Sequence, residues 1–166
     1  RADKKAGIHI KVDTGMGRLG VKPEYFRSLL SDIINYKNLL IEGVFTHLAC
    51  ADEEDPETTY TQISRFSKVL EELNGIKLFK PHSTNVPLLI HSANTAGLLR
   101  FPESRFNMVR PGISLFGSLP SPVLNPTFDE LVKQKGLARF HPVMNWKTKI
   151  IQVQTLQKGT PVSYGG

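Results

Sequence analysis

Polar and charged side chains recur at the ends of the short β-rich runs of this 166-residue sequence. In a parallel α/β barrel the carboxyl ends of the strands meet at one face, and active sites assemble there. A satisfied core histidine or a strand-end charge would explain any one of these residues alone. Because four successive runs carry them, the pattern indicates an active site. In chain order the residues are Lys11, Asp13, His47, His91, Asn94 and Arg110.

Two turns offer groups that could bind an anion. The segment HSANTAG places Ser92, Asn94 and Thr95 at a strand-to-helix turn, and RPGISLFG exposes backbone N–H groups around Gly112 and Ile113. Unpaired N–H groups and a helix dipole favour phosphate at such turns. A plain helix cap and a β-bulge are the alternative readings. No GxGxxG or Walker-type spacing occurs, so a nucleotide is not indicated.

Composition and spacing argue against several other functions. The 21 Lys and Arg residues against 15 Asp and Glu residues give a net charge of +6. The basic residues mostly alternate with apolar positions and are not interleaved with exposed aromatics, which disfavours nucleic-acid binding. The single cysteine, Cys50, excludes an internal disulfide framework, and none of the five histidines pairs at i,i+4, so no metal is expected. No apolar run is long enough for a bilayer, and residues 1–12 lack the apolar core of a signal peptide.

The elements that must position these residues alternate between β-rich runs and helical periodicity, as in parallel βαβ units. Helices are predicted over residues 23–36 and 57–73, where apolar residues repeat at intervals of three and four. Residues 143–156 alternate apolar and polar side chains, which predicts an antiparallel strand with one wet face. We therefore expect a domain boundary within residues 120–140. The parallel strands are predicted at residues 8–13, 40–48, 88–94 and 108–116.

Five segments carry the candidate residues: HIKVDTGMGRLG (9–20), GVFTHLACADE (43–53), HSANTAG (91–97), NMVRPGISLFG (107–117) and VSYGG (162–166). In this order, along nearly the whole chain, they resemble the alanine racemases. The resemblance implies an α/β fold-type III enzyme with a (β/α)8 TIM-type barrel that binds pyridoxal 5'-phosphate (PLP). Residues 1–135 would form the second half of that barrel, and residues 136–166 would begin a mostly antiparallel β domain. The Schiff-base lysine of the family lies in a KANAYGHG-like segment that is absent here, so we expect an internal part of a longer enzyme.

The resemblance also implies catalytic roles for three residues. Tyr164 matches the base that removes the α-proton of the L-enantiomer, while the lysine outside this chain serves the other face. His47 matches the histidine that links this tyrosine to Arg110. Arg110 matches the arginine that faces the pyridine nitrogen, where a fixed positive charge opposes protonation. Two bases on opposite faces of a planar carbanion are what racemisation requires.

Further residues match binding positions of the family. Arg18 and Met16 would bind the substrate, and Lys11 matches a lysine that is carbamylated in many members, whose negative charge would hold Arg18. Thr95 stands where the family more often has serine, and either hydroxyl can donate to phosphate. The residues expected to bind the cofactor are Arg18, Asn94, Thr95, Arg110, Gly112 and Ile113.

The function implied by the resemblance is racemisation of L- and D-alanine in the bacterial cytoplasm, which supplies D-alanine for peptidoglycan. The resemblance further implies a homodimer in which Tyr164 acts at the partner's cofactor, with neither nucleic acid nor membrane as a partner. Three alternatives stay open at this point. They are a PLP carrier without racemase activity, a related racemase or decarboxylase with a larger substrate, and a fragment that is inactive alone.

Overall fold

A three-stranded parallel sheet forms the centre of the computed structural model, which describes residues 4–75 and 87–162. Each strand pairs with the next one along the chain, and both pairings are parallel. This arrangement confirms the predicted parallel α/β organisation. The strands are β1 (Ala6–Lys11), β2 (Leu39–Phe45) and β3 (Leu89–His91).

Helices follow the strands where the apolar periodicity predicts them. The last helix begins at Asn125, with Pro126 in its first turn, where no N–H is needed. A short 3₁₀ turn, Pro23–Tyr25, precedes the first helix. Of the helices that the structure describes, none is both long and apolar enough to cross a membrane. The α-helices are α1 (Phe26–Ile33), α2 (Glu57–Asn74), α3 (Thr95–Arg100) and α4 (Asn125–Lys135).

The two faces of the sheet differ in chemistry. Successive side chains of a strand point to opposite faces, so Ile10 and Val44 join the apolar core while their neighbours face away. This core is completed by α1 and α2, with Phe26 and Phe66 both fully buried in it. A register shift between Ile8 and His9 brings His9 opposite Gly43. The face away from the core therefore carries His9, Lys11, Gly43, Phe45 and His91.

The prediction of a fourth strand over residues 108–116 is wrong. This segment runs beside β3 through only scattered hydrogen bonds, from Asn107 N to Ile90 O (3.3 Å) and from Arg110 N to Ala93 O (2.9 Å). Pro111 lacks an N–H group and cannot continue a ladder. The chain instead turns into a 3₁₀ helix, Ile113–Phe116. The three strands that do form all end earlier than predicted, at Lys11, Phe45 and His91.

The strand predicted over residues 143–156 is likewise not observed. Residues 143–156 belong to no strand, and Trp146 and Ile151 are 89% and 98% exposed. A β-strand is stable only when a neighbouring strand receives its hydrogen bonds and one face is buried. Within the described ranges this segment pairs with no other strand. The assignment of residues 1–135 and 136–166 to two domains stays a prediction.

Candidate active site

The guanidinium of Arg110 is held at the carboxyl end of the sheet by groups from two strand ends. Its Nη2 donates to the carbonyl oxygens of Thr46 (2.8 Å) and Ser92 (3.2 Å). The same nitrogen lies 3.2 Å from Nδ1 of His47, and Nη1 contacts Nδ1 of His91. The guanidinium also lies over the ring of Phe45, 5.3 Å from its centroid. Arg110 is thereby fixed in position, although it follows no strand of its own.

The contact with Arg110 determines the protonation of His91. A guanidinium only donates hydrogen bonds, so Nδ1 of His91 must accept and the ring proton sits on Nε2. That Nε2 lies 2.8 Å from Nδ1 of His9, which then accepts. Burial, followed by the charges of Arg110 and His9, lowers the pKa of His91 to about 4. Stacking on Phe45, with centroids 4.8 Å apart, completes the surroundings of this neutral ring.

His47 directly follows the strand-end residue Thr46 and is half-buried. Its Nδ1 faces Nη2 of Arg110, so this nitrogen also accepts and the proton is placed on Nε2. Burial lowers the pKa of His47, and the charges of Arg110, Lys11 and Arg18 lower it further. A neutral imidazole that carries its proton on Nε2 is therefore positioned beside the guanidinium.

The loop after β1 is organised by the carboxylate of Asp13. Its Oδ1 accepts hydrogen bonds from the backbone N–H groups of Gly15 (3.1 Å), Met16 (2.9 Å) and Gly17 (3.0 Å). These bonds, led by the one from Gly17, lower the pKa of Asp13. Arg18 follows directly on this loop and is exposed to solvent. The loop thus presents Met16 and Arg18 at the same edge as the histidines.

Lys11 is the last residue of β1 and lies opposite Phe45 of β2. Burial lowers its pKa, and the positive charges of Arg18 and Arg110 lower it further, against an opposing contribution from Asp13. A larger fraction of the Lys11 amine is consequently neutral and nucleophilic at a given pH. The sequence-based prediction that the strand ends meet holds for Lys11, His47 and His91, and Arg110 joins them from a segment that is not a strand.

A second group of polar atoms surrounds the start of α3. The N–H of Gly112 donates to Oγ1 of Thr95 (2.9 Å), and the hydroxyl of Ser114 lies 3.3 Å from the same oxygen. Asn94 is the N-cap of α3, because its side chain accepts from Gly97 N at 2.9 Å. One cavity of about 200 Å³ is lined by Asn94, Thr95, Gly112 and Ile113, together with Asp52, Ala96 and Pro120. The two predicted anion turns therefore face each other.

Comparison with known proteins adds to this geometry. Residues 1–120 match the sequence profile of a family described as alanine racemase, N-terminal domain. This chain belongs to the alanine racemase family. A relative called alanine racemase in Syntrophobacter fumaroxidans is 37% identical over 161 residues, which make up 97% of this chain and 38% of that protein. The chain therefore spans well under half the length of this curated relative.

Solved alanine racemases share the fold. The alanine racemase of Clostridium difficile 630 in complex with cycloserine is 33% identical, with a TM-score of 0.63 over 75% of this chain and 33% of that one. The alanine racemase from Bacillus anthracis with bound L-Ala-P is 33% identical, with a TM-score of 0.62 over 74% and 30% of the two chains. The parallel α/β architecture described above is that of the N-terminal TIM-barrel domain of alanine racemases.

Sequence reasoning gave no role to some residues of the site, and one predicted residue cannot be placed in it. Tyr164 is outside the described residues. His9 was given no role, although it shares a strand face with Lys11 two residues later. Ser114 and Gln62 were also missed. The sequence could have revealed Gln62, because it is a polar residue four positions before Phe66 on the apolar side of α2.

Proposed function

We propose that the chain is part of a PLP-dependent racemase that interconverts L-alanine and D-alanine by a two-base mechanism. The observation that carries this proposal is the Arg110 guanidinium, which is held between two histidines that both accept its hydrogen bonds. An arginine in such surroundings remains a permanent cation and a donor. The family membership supports the same reaction class.

The residues present fit PLP by the chemistry of their donors. The cofactor has a phosphate, a phenolic oxygen and a pyridine nitrogen, all of which accept hydrogen bonds. Thr95 and Gly112 line one cavity, and the hydroxyl of Ser114 lies 3.3 Å from Oγ1 of Thr95. An added Cβ on Gly112 would meet nothing within 4 Å. Asn94 and Ile113 line the same cavity. We propose that these groups hold the phosphate, and that Arg110 donates to the pyridine nitrogen.

PLP, when bound, supplies an electron sink that stabilises the carbanion left by loss of the α-proton. The charge of Arg110 limits this sink, because a cation beside the pyridine nitrogen opposes its protonation. Arg110 would in this way disfavour side reactions such as transamination. His91 and the carbonyl oxygen of Thr46 keep the guanidinium in place during this chemistry.

Tyr164 and a lysine outside these 166 residues are the two proposed bases. Tyr164 would take the α-proton from the L-enantiomer, and the lysine would act on the D-face. The phenol of a tyrosine titrates near 10, so its phenolate needs nearby positive charge to form at neutral pH. His47 would link Arg110 to this phenolate, since its Nδ1 accepts from the guanidinium and its Nε2–H could donate to the phenolate oxygen.

Arg18, Met16 and Lys11 are the proposed residues on the substrate side. The forked, permanently charged guanidinium of Arg18 suits both the substrate carboxylate and the phenolic oxygen of the cofactor. Carbamylation of Lys11 would require a neutral amine, and the lowered pKa of this lysine favours it. The resulting negative charge would replace repulsion of Arg18 with attraction. Incubation with ¹³C-labelled bicarbonate should give a carbamate signal that a Lys11→Arg variant lacks.

The wider setting follows from the same proposal. We place the enzyme in the bacterial cytoplasm, where its D-alanine would serve peptidoglycan synthesis, and expect a homodimer in which Tyr164 reaches the partner's cofactor. The 166 residues alone should be inactive, because they contain no lysine in a KANAYGHG-like segment.

The deciding experiment measures D-alanine formed from L-alanine by the longer protein that carries this chain, loaded with PLP. The parent should show the visible absorbance of lysine-bound PLP and racemise alanine. Tyr164→Phe should keep that absorbance but lose L-to-D turnover by about a thousandfold or more, the scale of losing a positioned acid–base group. PLP binding without turnover of alanine in the parent would overturn the alanine reaction and leave a carrier or an enzyme for a larger substrate, and the absence of PLP binding would overturn the proposal altogether.

A further inference from the structure

Gln62 connects the loop that carries His47 to the loop that carries the proposed substrate-side residues Met16 and Arg18. It lies in α2 and is only 1% exposed, at a position of the buried helix face where an apolar residue would be ordinary. Thr59 and Phe66, one turn before and one turn after it, are fully buried on the same face. A neutral amide at this depth is costly unless its hydrogen-bonding groups are all satisfied.

The amide of Gln62 is satisfied entirely by the ends of β1 and β2. Its Oε1 accepts from the backbone N–H of Ala49 (2.8 Å). Its Nε2 donates to the carbonyl oxygen of His47 (3.0 Å) and to Oγ1 of Thr14 (3.2 Å). The orientation is fixed, because the Ala49 N–H can only donate and the His47 carbonyl can only accept.

This pattern resembles strand pairing by a side chain. An extended chain presents the carbonyl of one residue and the N–H of the residue two positions later to the same neighbour. The amide of Gln62 donates to the carbonyl of His47 and accepts from the N–H of Ala49, shortly after β2 has ended at Phe45. No single side chain other than glutamine or asparagine offers an acceptor and two donors without charge.

The same amide fixes the loop after β1. Thr14 stands directly after Asp13 in the loop that presents Met16 and Arg18, and its hydroxyl also lies 2.7 Å from that of Thr46. Arg65, about one turn further along α2, donates from Nη1 to the carbonyl oxygen of Thr14 (3.0 Å). The loop that carries Arg18 and the loop that carries His47 are thus both tied to α2.

Arg110 and Gln62 hold consecutive carbonyl groups at the end of β2. Nη2 of Arg110 donates to the carbonyl oxygen of Thr46, and Nε2 of Gln62 donates to that of His47. Consecutive carbonyls of extended chain point in opposite directions, so the segment is held from two sides. We propose that Gln62 is a positioning residue, which sets the placement of His47 relative to Arg110 and of Arg18 relative to both. Its kinetic consequences rest on the racemase function proposed above.

The test compares Gln62→Met with Thr59→Val in the longer protein that carries this chain. Methionine keeps the length and shape of glutamine but removes the amide. Thr59 is a matched control, because its hydroxyl is buried on the same helix face and has no hydrogen-bond partner among the described residues. Gln62→Glu is a second substitution of equal size, which keeps acceptors but loses both donors if the first variant does not fold.

The first readout is hydrogen exchange of the PLP-free protein, which needs no activity. Gln62→Met should speed exchange about tenfold or more in residues 13–19 and 46–50 together, because both loops lose their hydrogen bonds to the Gln62 amide. Thr59→Val should leave both loops unchanged. Unchanged exchange in either loop of the Gln62 variants would overturn the proposal.

The second readout is kcat/KM for alanine per PLP-loaded site. Loops displaced by less than an ångström should lower it about ten- to a hundredfold in Gln62→Met, with both kcat and KM affected. Faster exchange with kcat/KM within about twofold of the parent would make Gln62 merely structural and overturn its positioning role. A parent without racemase activity but with the expected exchange pattern would overturn the proposed function while supporting the tie itself.

Discussion

Nδ1 of His9 lies 2.8 Å from Nε2 of His91, across the middle strand of the sheet. The strand between them contributes Gly43, which lies opposite His9, and a Cβ added there would stand 2.5 Å from Nδ1 of His9. The missing side chain of Gly43 therefore makes room for a contact between β1 and β3. His91 in turn contacts Arg110, so the space left by Gly43 supports a chain of contacts from His9 through His91 to the guanidinium.

Gly43→Ala should break the contact between the two histidines. The added methyl group displaces the His9 ring, and overpacking of this kind costs about 1–3 kcal/mol of the free energy of unfolding. Urea unfolding measures this cost. Gly75→Ala is the matched control, because its φ of −76° suits alanine and its added Cβ comes no nearer than 3.4 Å to Glu72 O. Equal stability of the two variants would show that His9 adapts without loss.

The stability of the protein should fall as pH drops below 6.5, and His91 should account for a measurable part. Its pKa is lowered from 6.5 to about 4 by burial first and then by Arg110 and His9. The folded state then binds fewer protons than the unfolded state between these values, so stability is fully present above 6.5 and is lost as pH falls toward 4. Between pH 7 and pH 5 this loss amounts to about 2 kcal/mol.

Substitution of His91 by glutamine tests this assignment. The amide of His91→Gln can still accept from Arg110 and donate to His9, but it does not titrate. The difference in unfolding free energy between pH 7 and pH 5 should shrink by about 2 kcal/mol. His141→Gln, at an exposed histidine, should leave that difference unchanged. A His91→Gln protein with the parent's pH dependence would mean that other groups, such as His47, dominate it.

Arg110→Lys should impair catalysis even though it preserves the charge. A lysine has no planar fork and cannot reach His47, His91 and the Thr46 carbonyl at once. We expect kcat/KM of the PLP-loaded longer protein to fall about a hundredfold. Arg105→Lys is the control, since Arg105 donates from Nε to Leu98 O, outside the proposed site. Parental activity in Arg110→Lys would reduce the requirement at this position to charge alone.

Asp13 should matter for its acceptor oxygen more than for its charge. Asp13→Asn keeps an oxygen that can accept from Gly15, Met16 and Gly17, whereas Asp13→Ala releases all three N–H groups. The alanine variant should raise KM for alanine about tenfold, because Arg18 loses its fixed loop, and the asparagine variant should raise it less. Steady-state kinetics separates the two. Equal KM values for both variants would instead assign the effect to the lost negative charge.

The local pattern of apolar residues was sufficient to predict those elements whose apolar face is buried in the folded protein. The alternation in IHIKVD and the three- and four-residue spacing in α2 correspond to β1 and to a helix over Glu57–Asn74. The pattern failed where it alternates without a partner, as in residues 143–156, and where Pro111 interrupts a β-rich run. Such segments become strands only if a neighbouring strand receives their hydrogen bonds. An alternating pattern does not guarantee that neighbour.

By itself the sequence determined the parallel α/β class, the carboxyl-end placement of Lys11, His47 and His91, and membership of the alanine racemase family by its motifs. Position along a strand decides the placement of these three residues, because parallel strands in register bring their carboxyl ends to one edge. Only the tertiary structure decided that His91 is neutral, that Gly43 leaves space for His9, and that Gln62 joins two loops. Each of these depends on atoms that are far apart in the chain, and on burial, which sets both pKa values and the cost of an unpaired amide.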